Sequence, residues 1–98
     1  ELDTFIYIIK EREFVQNGEN VYKIGKTRNL TNRIGDYPKG SKIKFVIPCD
    51  DVDKIEKELL NIFDENFIRM RKYGREYFNG DLNHMIQNII GHLKFATF

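Results

Sequence analysis

The residues best suited to chemistry lie in one stretch, Tyr22 to Tyr37, which reads YKIGKTRNLTNRIGDY. Its first residues favour a short strand that turns at Gly25, and a helix begins a few residues later. Arg33 and Tyr37 are four residues apart, so they share a face of that helix. Lys23 comes shortly before the turn. A lysine, an arginine and a tyrosine that converge where a strand ends and a helix starts can hold an anion.

Two strands are predicted to bring these residues together. Thr4 to Lys10 is apolar on both alternations, which predicts a central strand covered on both faces. Tyr7 is its one member with a polar tip, and from the strand alone a core tyrosine with a satisfied hydroxyl is the simpler interpretation. Val21 to Ile24 is expected to return antiparallel, with Tyr22 and Lys23 on opposite faces.

The remaining patterns predict three helices and a third strand. A capping side chain precedes each helix: Asn29 the first, Asp50 or Asp51 the second, and Asp81 the last. The third strand, Lys42 to Ile47, alternates lysine with apolar residues. The acids of the second helix are expected on a solvated outer face. The residues predicted to face inward are Leu30 and Ile34 in the first helix (Leu30 to Tyr37), Val52, Ile55, Leu59, Ile62, Phe63 and Phe67 in the second, and Leu82, Met85, Ile86, Ile89, Ile90 and Leu93 in the last.

A short basic loop, Arg69 to Arg75, leads to the tripeptide Glu76-Tyr77-Phe78. The two aromatic residues are expected to anchor this segment in the core. A glutamate beside two anchored aromatic residues is held in place, as a metal ligand must be. In isolation Glu76 has the simpler interpretation of a surface acid.

In order along the chain, these residues resemble the GIY-YIG nuclease superfamily. Phe5 to Tyr7 (FIY), Lys23 to Gly25 (KIG) and Glu76 to Phe78 (EYF) correspond to its motifs, with the further matches Thr27, Arg33 and Tyr37. The most similar subfamily is that of phages and large viruses, whose second motif is of the YKIGKT type. The chain departs from the pattern at Phe5, where the first motif has glycine, and at Lys23, where the second has tyrosine. Some restriction enzymes of the superfamily carry lysine there.

The resemblance implies an α+β fold: a small GIY-YIG-like domain with a central three-stranded antiparallel sheet flanked by about three helices. Residues 1–98 are expected to form this single domain, excised from a longer protein that carries an additional DNA-binding domain.

The connection between the first two strands gives conflicting predictions. Asn17-Gly18 is a strong signal for a two-residue hairpin, and a tight turn there would place Lys23 opposite Arg12. The resemblance instead requires Tyr7 near Lys23. An irregular or bulged excursion over residues 11–19 is therefore expected, and an unbroken tight hairpin would contradict it.

The activity that the resemblance implies is metal-dependent DNA hydrolysis with one divalent ion. Tyr7 would be the general base; its ordinary pKa of about 10 is too high for this, so Lys23 is expected to favour the phenolate. Arg33 would bind the scissile phosphate, and Tyr37 would orient water or phosphate. Glu76 would hold Mg²⁺ or Mn²⁺ against the leaving 3′ oxygen. The absence of a second acidic cluster near Glu76 in the sequence argues against a two-metal site. The supporting residues are Thr27 and Asn88.

Charge is distributed unevenly, although the formal net charge is only +1. Residues 22–44 carry seven basic side chains and one acid, a net charge of +6, whereas residues 50–66 carry seven acids and two lysines, a net charge of −5. A single basic face that meets a polyanion explains this pattern, as do solvated charges on unrelated faces. The residues predicted to contact DNA are Lys26, Arg28, Lys42, Lys44, Arg71 and Lys72.

Two alternatives use the same residues differently. The first is a catalytically inactive DNA-binding module of the same fold within a larger viral or phage protein. The second is a protein-interaction domain, which would be indifferent to Glu76. No apolar run is long enough to span a membrane. The lone Cys49 cannot form an internal disulfide, and an intracellular location, cytoplasmic or nuclear, is expected.

Overall fold

The computed structural model describes residues 4–96, and over these residues the chain forms an α+β domain with five strands and four helices. The elements are β1 (Phe5–Lys10), α1 (Arg12–Asn17), β2 (Val21–Thr27), α2 (Leu30–Gly35), β3 (Lys42–Pro48), α3 (Val52–Asn66), β4 (Ile68–Arg69), β5 (Tyr77–Asn79) and α4 (Leu82–Ala96). The predicted class is confirmed. The predicted three-stranded sheet with about three helices is too small, because no helix was predicted where α1 forms and no strand where β4 and β5 form.

All five strands form one antiparallel sheet in the order β3-β1-β2-β5-β4. In the β1–β2 pair, Tyr7 lies opposite Gly25 and Ile9 lies opposite Lys23. Directly opposed residues share a face of a sheet, so Tyr7, Gly25 and Lys23 lie on one face. Tyr22 is buried in the core on the other face, as the alternation predicts.

The connection between β1 and β2 is a short helix, and the prediction of an irregular or bulged excursion is wrong in this respect. Gly18 has φ 76° and its N–H donates to the carbonyl of Phe14, so Asn17-Gly18 ends α1 instead of forming a hairpin turn. Phe14 is buried and anchors the helix to the domain. The resulting register brings Tyr7 and Lys23 to the same face, as the resemblance requires, without a tight hairpin.

The main core lies between the sheet and the helices α3 and α4. Ile6, Ile8, Ile24 and Phe78 of the sheet pack with apolar residues of the two helices, which include Leu59, Phe63, Met85 and Ile89. Two residues predicted to face inward are exposed instead: Ile34 (40%) and Ile90 (37%). Of the predicted caps, Asp81 accepts a hydrogen bond from the N–H of His84, whereas Asp51 precedes α3 without a side-chain cap.

Glu76 directly precedes β5, which begins at Tyr77. The N–H of Ile24 donates to the carbonyl of Glu76, and Tyr77 then pairs with Lys23. β5 therefore lies between β2 and the two-residue β4. This pairing carries a residue late in the sequence to the strand that holds the KIG motif. Among residues 4–96, no helix has both the length and the apolar character needed to cross a membrane.

Candidate active site

The ring of Tyr7 lies across the backbone of Gly25. A Cβ atom added at Gly25 would overlap the Cζ and hydroxyl atoms of Tyr7, so no other residue fits at position 25 without displacing the ring. Gly25 has no positive φ; glycine is required here for space rather than for backbone freedom. The absence of a side chain at Gly25 thus leaves room for the Tyr7 ring and its hydroxyl to lie over β2.

Tyr37 meets Tyr7 at that hydroxyl. The two hydroxyl oxygens are 2.6 Å apart, and the rings pack edge to face with centroids 6.2 Å apart. α2 ends at Gly35 and Asp36 is its C-cap residue, so Tyr37 lies just beyond the helix and not on its surface as predicted. Its position is fixed by the contact with Tyr7 and by the N–H that it donates to the carbonyl of Ile34.

Thr27 and Asn29 connect β2 to α2. The Thr27 hydroxyl accepts a hydrogen bond from the N–H of Asn29 and donates one to its carbonyl. The Asn29 side chain in turn accepts from the N–H of Asn32, which caps the helix as predicted. Thr27 is buried and therefore holds the start of the helix that carries Arg33. Arg33 is exposed, and its charge acts on both Tyr7 and Tyr37.

The pKa of Tyr7 is raised from its ordinary value of 10, mainly because the phenol is buried, and secondly because of its hydrogen bond to Tyr37. The positive charges of Lys23 and Arg33 act in the opposite direction but do not outweigh burial. The pKa of Tyr37 is raised as well, again mainly by burial. The expectation that Lys23 favours the phenolate is correct in sign, but Tyr7 is a neutral phenol at neutral pH in the free protein.

Glu76 lies in a cleft of about 350 Å³ beside a second carboxylate, Glu56 of α3. Its lining residues are Lys26, Glu56, Leu60, Arg75 and Glu76. The pKa of Glu56 is raised to about 7, mainly because the carboxyl is buried. A hydrogen bond to Glu76 and the charge of Glu76 also raise this pKa, whereas Lys26 lowers it. The charge of Glu76 also acts on Tyr37, whose pKa it raises.

Glu56 contradicts the prediction that the acids of this helix lie on a solvated outer face: it is only 6% exposed. Its Oε1 lies 3.3 Å from the Lys26 ammonium, which also pairs with Asp53 at 2.8 Å. The sequence did contain the signal. Glu56 is four residues after Val52 and three before Leu59, so it falls within the apolar stripe of the helix. An acid at such a position faces the core together with the apolar side chains and does not serve to solvate the helix.

The two carboxylates fit a divalent cation. When Glu56 is ionised, its Oε2 is buried without a hydrogen-bond partner within residues 4–96, which is costly, whereas the protonated carboxyl hydrogen-bonds to Glu76. Mg²⁺ is commonly held by one or two carboxylates, with water and substrate phosphate as its other ligands. No group of three or more His, Cys, Asp or Glu side chains is placed to hold a metal in the part of the chain that is described, so such an ion would depend on oxygens from outside the protein.

Comparison with known protein families matches residues 4–94 to the T5orf172 domain. The chain belongs to this family. The T5orf172 domain is a phage-associated domain of the GIY-YIG-like nuclease fold family, which agrees with the resemblance at the level of the fold and of a nuclease-like phage domain. Neither the curated proteins nor the solved structures gave a significant match.

Asn88 is the second of the two residues predicted to support the active site of this T5orf172 domain. Asn88 is on α4, half-buried, and its Nδ2 has no hydrogen-bond partner among the described residues. No contact described for it reaches Glu76, so its supporting role stays a prediction.

The residues predicted to contact DNA fall into three groups. Arg71 and Lys72 are exposed in the connection that leads from β4 to β5. Lys42 and Lys44 are exposed on the edge strand β3. Lys26 and Arg28 lie at the end of β2, where Lys26 is already paired with two carboxylates of α3.

Proposed function

We propose that this T5orf172 domain is a DNA endonuclease that hydrolyses phosphodiester bonds with one divalent cation, Mg²⁺ or Mn²⁺. The observation that carries this proposal is the Tyr7–Tyr37 hydroxyl pair, on which the positive charges of Lys23 and Arg33 act and to which the charge of Glu76 also extends at Tyr37. Phosphodiester hydrolysis needs a proton acceptor for water, a group that binds the phosphate and a means of neutralising developing charge. The site contains residues suited to each.

Tyr7 accepts the proton of the attacking water in this proposal. Because burial keeps it neutral in the free protein, its phenolate is a minor form that Lys23 and Arg33 favour. Arg33 is exposed. It binds the scissile phosphate and stabilises the negative charge that develops on this phosphate during the reaction. Tyr37 holds the Tyr7 hydroxyl and orients the water or phosphate.

Glu56 and Glu76 would hold the cation. When bound, the cation neutralises charge on the reacting phosphate and on the leaving 3′ oxygen. The ion pair between Lys26 and Glu56 neutralises the cleft in the free protein. Asp53 can retain the Lys26 ammonium, since the two are 2.8 Å apart. Glu56 is thus an addition to the predicted site, which had Glu76 as the single carboxylate.

The test is cleavage of supercoiled plasmid with Mg²⁺ and with Mn²⁺, with EDTA as the metal-free control. We expect nicking by the unmodified domain and losses of at least about 100-fold in Arg33→Ala and Glu76→Ala. Glu65→Ala changes an exposed glutamate of α3 and serves as the matched control with full activity. Cleavage that persists in EDTA or in Glu76→Ala would overturn the metal-dependent mechanism.

The inactive DNA-binding module is the second candidate, and the raised pKa of Tyr7 favours it, because a neutral phenol is a poor base. This candidate predicts no cleavage with either metal. It also predicts salt-sensitive DNA binding that Arg33→Ala weakens and Glu76→Ala leaves unchanged. A protein-interaction domain predicts neither cleavage nor DNA binding.

A further inference from the structure

Lys23 is enclosed by aromatic rings. Its ammonium nitrogen lies 5.0 Å from the ring centroid of Tyr37 and 5.6 Å from that of Tyr77. Both distances are within the range of a cation–π interaction. Lys23 has no ion pair among the described residues, in contrast to Lys26 two positions later. Two aromatic faces, and no carboxylate, thus define where the Lys23 charge lies.

Tyr77 is itself fixed from two directions. It is directly opposite Lys23 in the β2–β5 pairing, which places both side chains on the face that holds Tyr7. Its hydroxyl donates a hydrogen bond of 2.9 Å to Oε2 of Glu11. Glu11 is the N-cap residue of α1, so the helix that replaces the expected irregular excursion supplies the anchor for this ring.

The aromatic rings position the Lys23 ammonium without neutralising its charge. A carboxylate in contact with Lys23 would fix the ammonium but would also neutralise it. The faces of aromatic rings attract a cation through their quadrupole without cancelling its charge. Glu11 is held one hydroxyl group away, where it orients the ring of Tyr77. The charge of Lys23 therefore remains available to the Tyr7–Tyr37 pair and to a phosphate.

We propose that Tyr77 and Glu11 are positioning residues that hold the Lys23 ammonium against the Tyr7–Tyr37 hydroxyl pair. The inference deepens the proposed nuclease function and rests on it for its effect on rate. The contact between Glu11 and Tyr77 joins residues 66 positions apart, so neither the motifs nor the local pattern of the sequence indicates it. It assigns a function to α1, which otherwise only connects two strands.

The first experiment compares single-turnover nicking with DNA affinity in Tyr77→Leu, Glu11→Ala and Glu11→Gln. We expect the first two to lower the cleavage rate about 5- to 20-fold, the range of a lost cation–π contact, with DNA affinity within about twofold. Glu11→Gln keeps an acceptor for the Tyr77 hydroxyl and should restore most of the rate. Glu13→Ala removes an exposed acid from the same helix and is the matched control.

A merely structural role is separated by repeating the substitutions in a Lys23→Met background. If Tyr77 and Glu11 act through Lys23, they should change the rate by less than about twofold there, because interacting residues are not additive. Equal losses with and without Lys23 would overturn the proposal. So would a loss in rate that follows a loss of folded protein in thermal unfolding.

A second measurement does not depend on cleavage. The ε-methylene protons of Lys23 should show an upfield ring-current shift in the NMR spectrum, which Tyr77→Leu and Glu11→Ala should both reduce, since the Tyr37 ring remains in each variant. This shift in a domain that cuts no DNA would support the positioning of Lys23 while the nuclease function fails. Cleavage without any such shift would overturn the positioning and leave the nuclease function intact.

Discussion

The hydroxyl oxygens of Tyr7 and Tyr37 lie 2.6 Å apart although 30 positions separate the two residues in the chain. One comes from the centre of β1 and the other from the turn after α2, so the contact exists only in the folded domain. Each hydroxyl satisfies the other in a site where burial raises both pKa values. Removing one hydroxyl therefore has consequences for the other.

Tyr7→Phe should lower the cleavage rate by about 10²- to 10⁴-fold, the usual contribution of a general base. Tyr37→Phe should lower it by only about 10-fold, because it removes an orienting group and leaves the base in place. The rates are measured by single-turnover nicking of supercoiled plasmid, and DNA binding is measured by fluorescence anisotropy. A Tyr7→Phe variant that cleaves within threefold of the unmodified domain would exclude Tyr7 as the base.

Gly25→Ala should abolish cleavage although alanine is a modest change in most strands. The new methyl group would overlap the ring of Tyr7 and force it out of the site, at a cost in stability of about 1–3 kcal/mol. Gly35 offers a matched control, because a Cβ there meets nothing within 4 Å. Gly35→Ala should retain activity. Urea unfolding and the nicking assay, applied to both variants, decide the outcome.

The cleavage rate should rise with pH, by about tenfold per unit while the phenolate is the minor form of Tyr7. The pKa of Tyr7 lies above its ordinary value, so the rise should continue from neutral pH to the highest pH that the fold tolerates. The measurement is kcat/KM between about pH 6.5 and 9 at constant ionic strength. A flat profile over that range in the unmodified domain would contradict a titrating tyrosine base.

Glu56 should make the metal-free domain less stable at pH 8 than at pH 5. Its pKa is raised from 4.5 to about 7, so the folded chain binds this proton more tightly than the unfolded chain does. The resulting stabilisation, about 3 kcal/mol, is complete below about pH 4.5 and is lost as the pH rises through about 7. Glu56→Gln should remove this dependence.

The measurement is urea unfolding in EDTA at both pH values, with Glu65→Gln as the exposed control on the same helix. Added Mg²⁺ should stabilise the unmodified domain at pH 8 and have little effect on Glu56→Gln, because only an ionised pair of carboxylates binds the cation well. If the free energy of unfolding depended on pH in the same way in the unmodified domain and in Glu56→Gln, the raised pKa of Glu56 would be contradicted.

Local patterns were sufficient to predict the parts of the fold that depend on them. The two-sided apolar run predicts β1, and the Asn29 and Asp81 caps start their helices as expected. The start of β2 is predicted correctly, but the predicted turn at Gly25 is wrong, because the strand continues to Thr27 in its pairing with β1. Period-two alternation predicts that Tyr22 and Lys23 lie on opposite faces, and the resemblance to the family motif indicates that Lys23 is the one on the face of Tyr7. These features need no knowledge of which distant segments pack together.

The remaining features depend on long-range packing. Asn17-Gly18 is equally suited to a hairpin turn and to the end of a helix, and the burial of Phe14 decides between them. β4 is two residues long, too short for any periodic pattern. Acids of a helix usually lie on its solvated face, but Glu56 falls within the apolar stripe of α3 and is buried. For this residue its position in the helix, and not its residue type, predicts its burial.

The insertion of β5 between β2 and β4 also determines when the site becomes complete. A ribosome makes Tyr7, Lys23, Arg33 and Tyr37 first, whereas Glu76 must be released and paired with β2 before it can join Glu56. A nascent chain that stops before β5 holds the tyrosines and basic groups without their second carboxylate. In the proposed chemistry, the domain therefore becomes able to cut nucleic acid only after β5 has paired with β2.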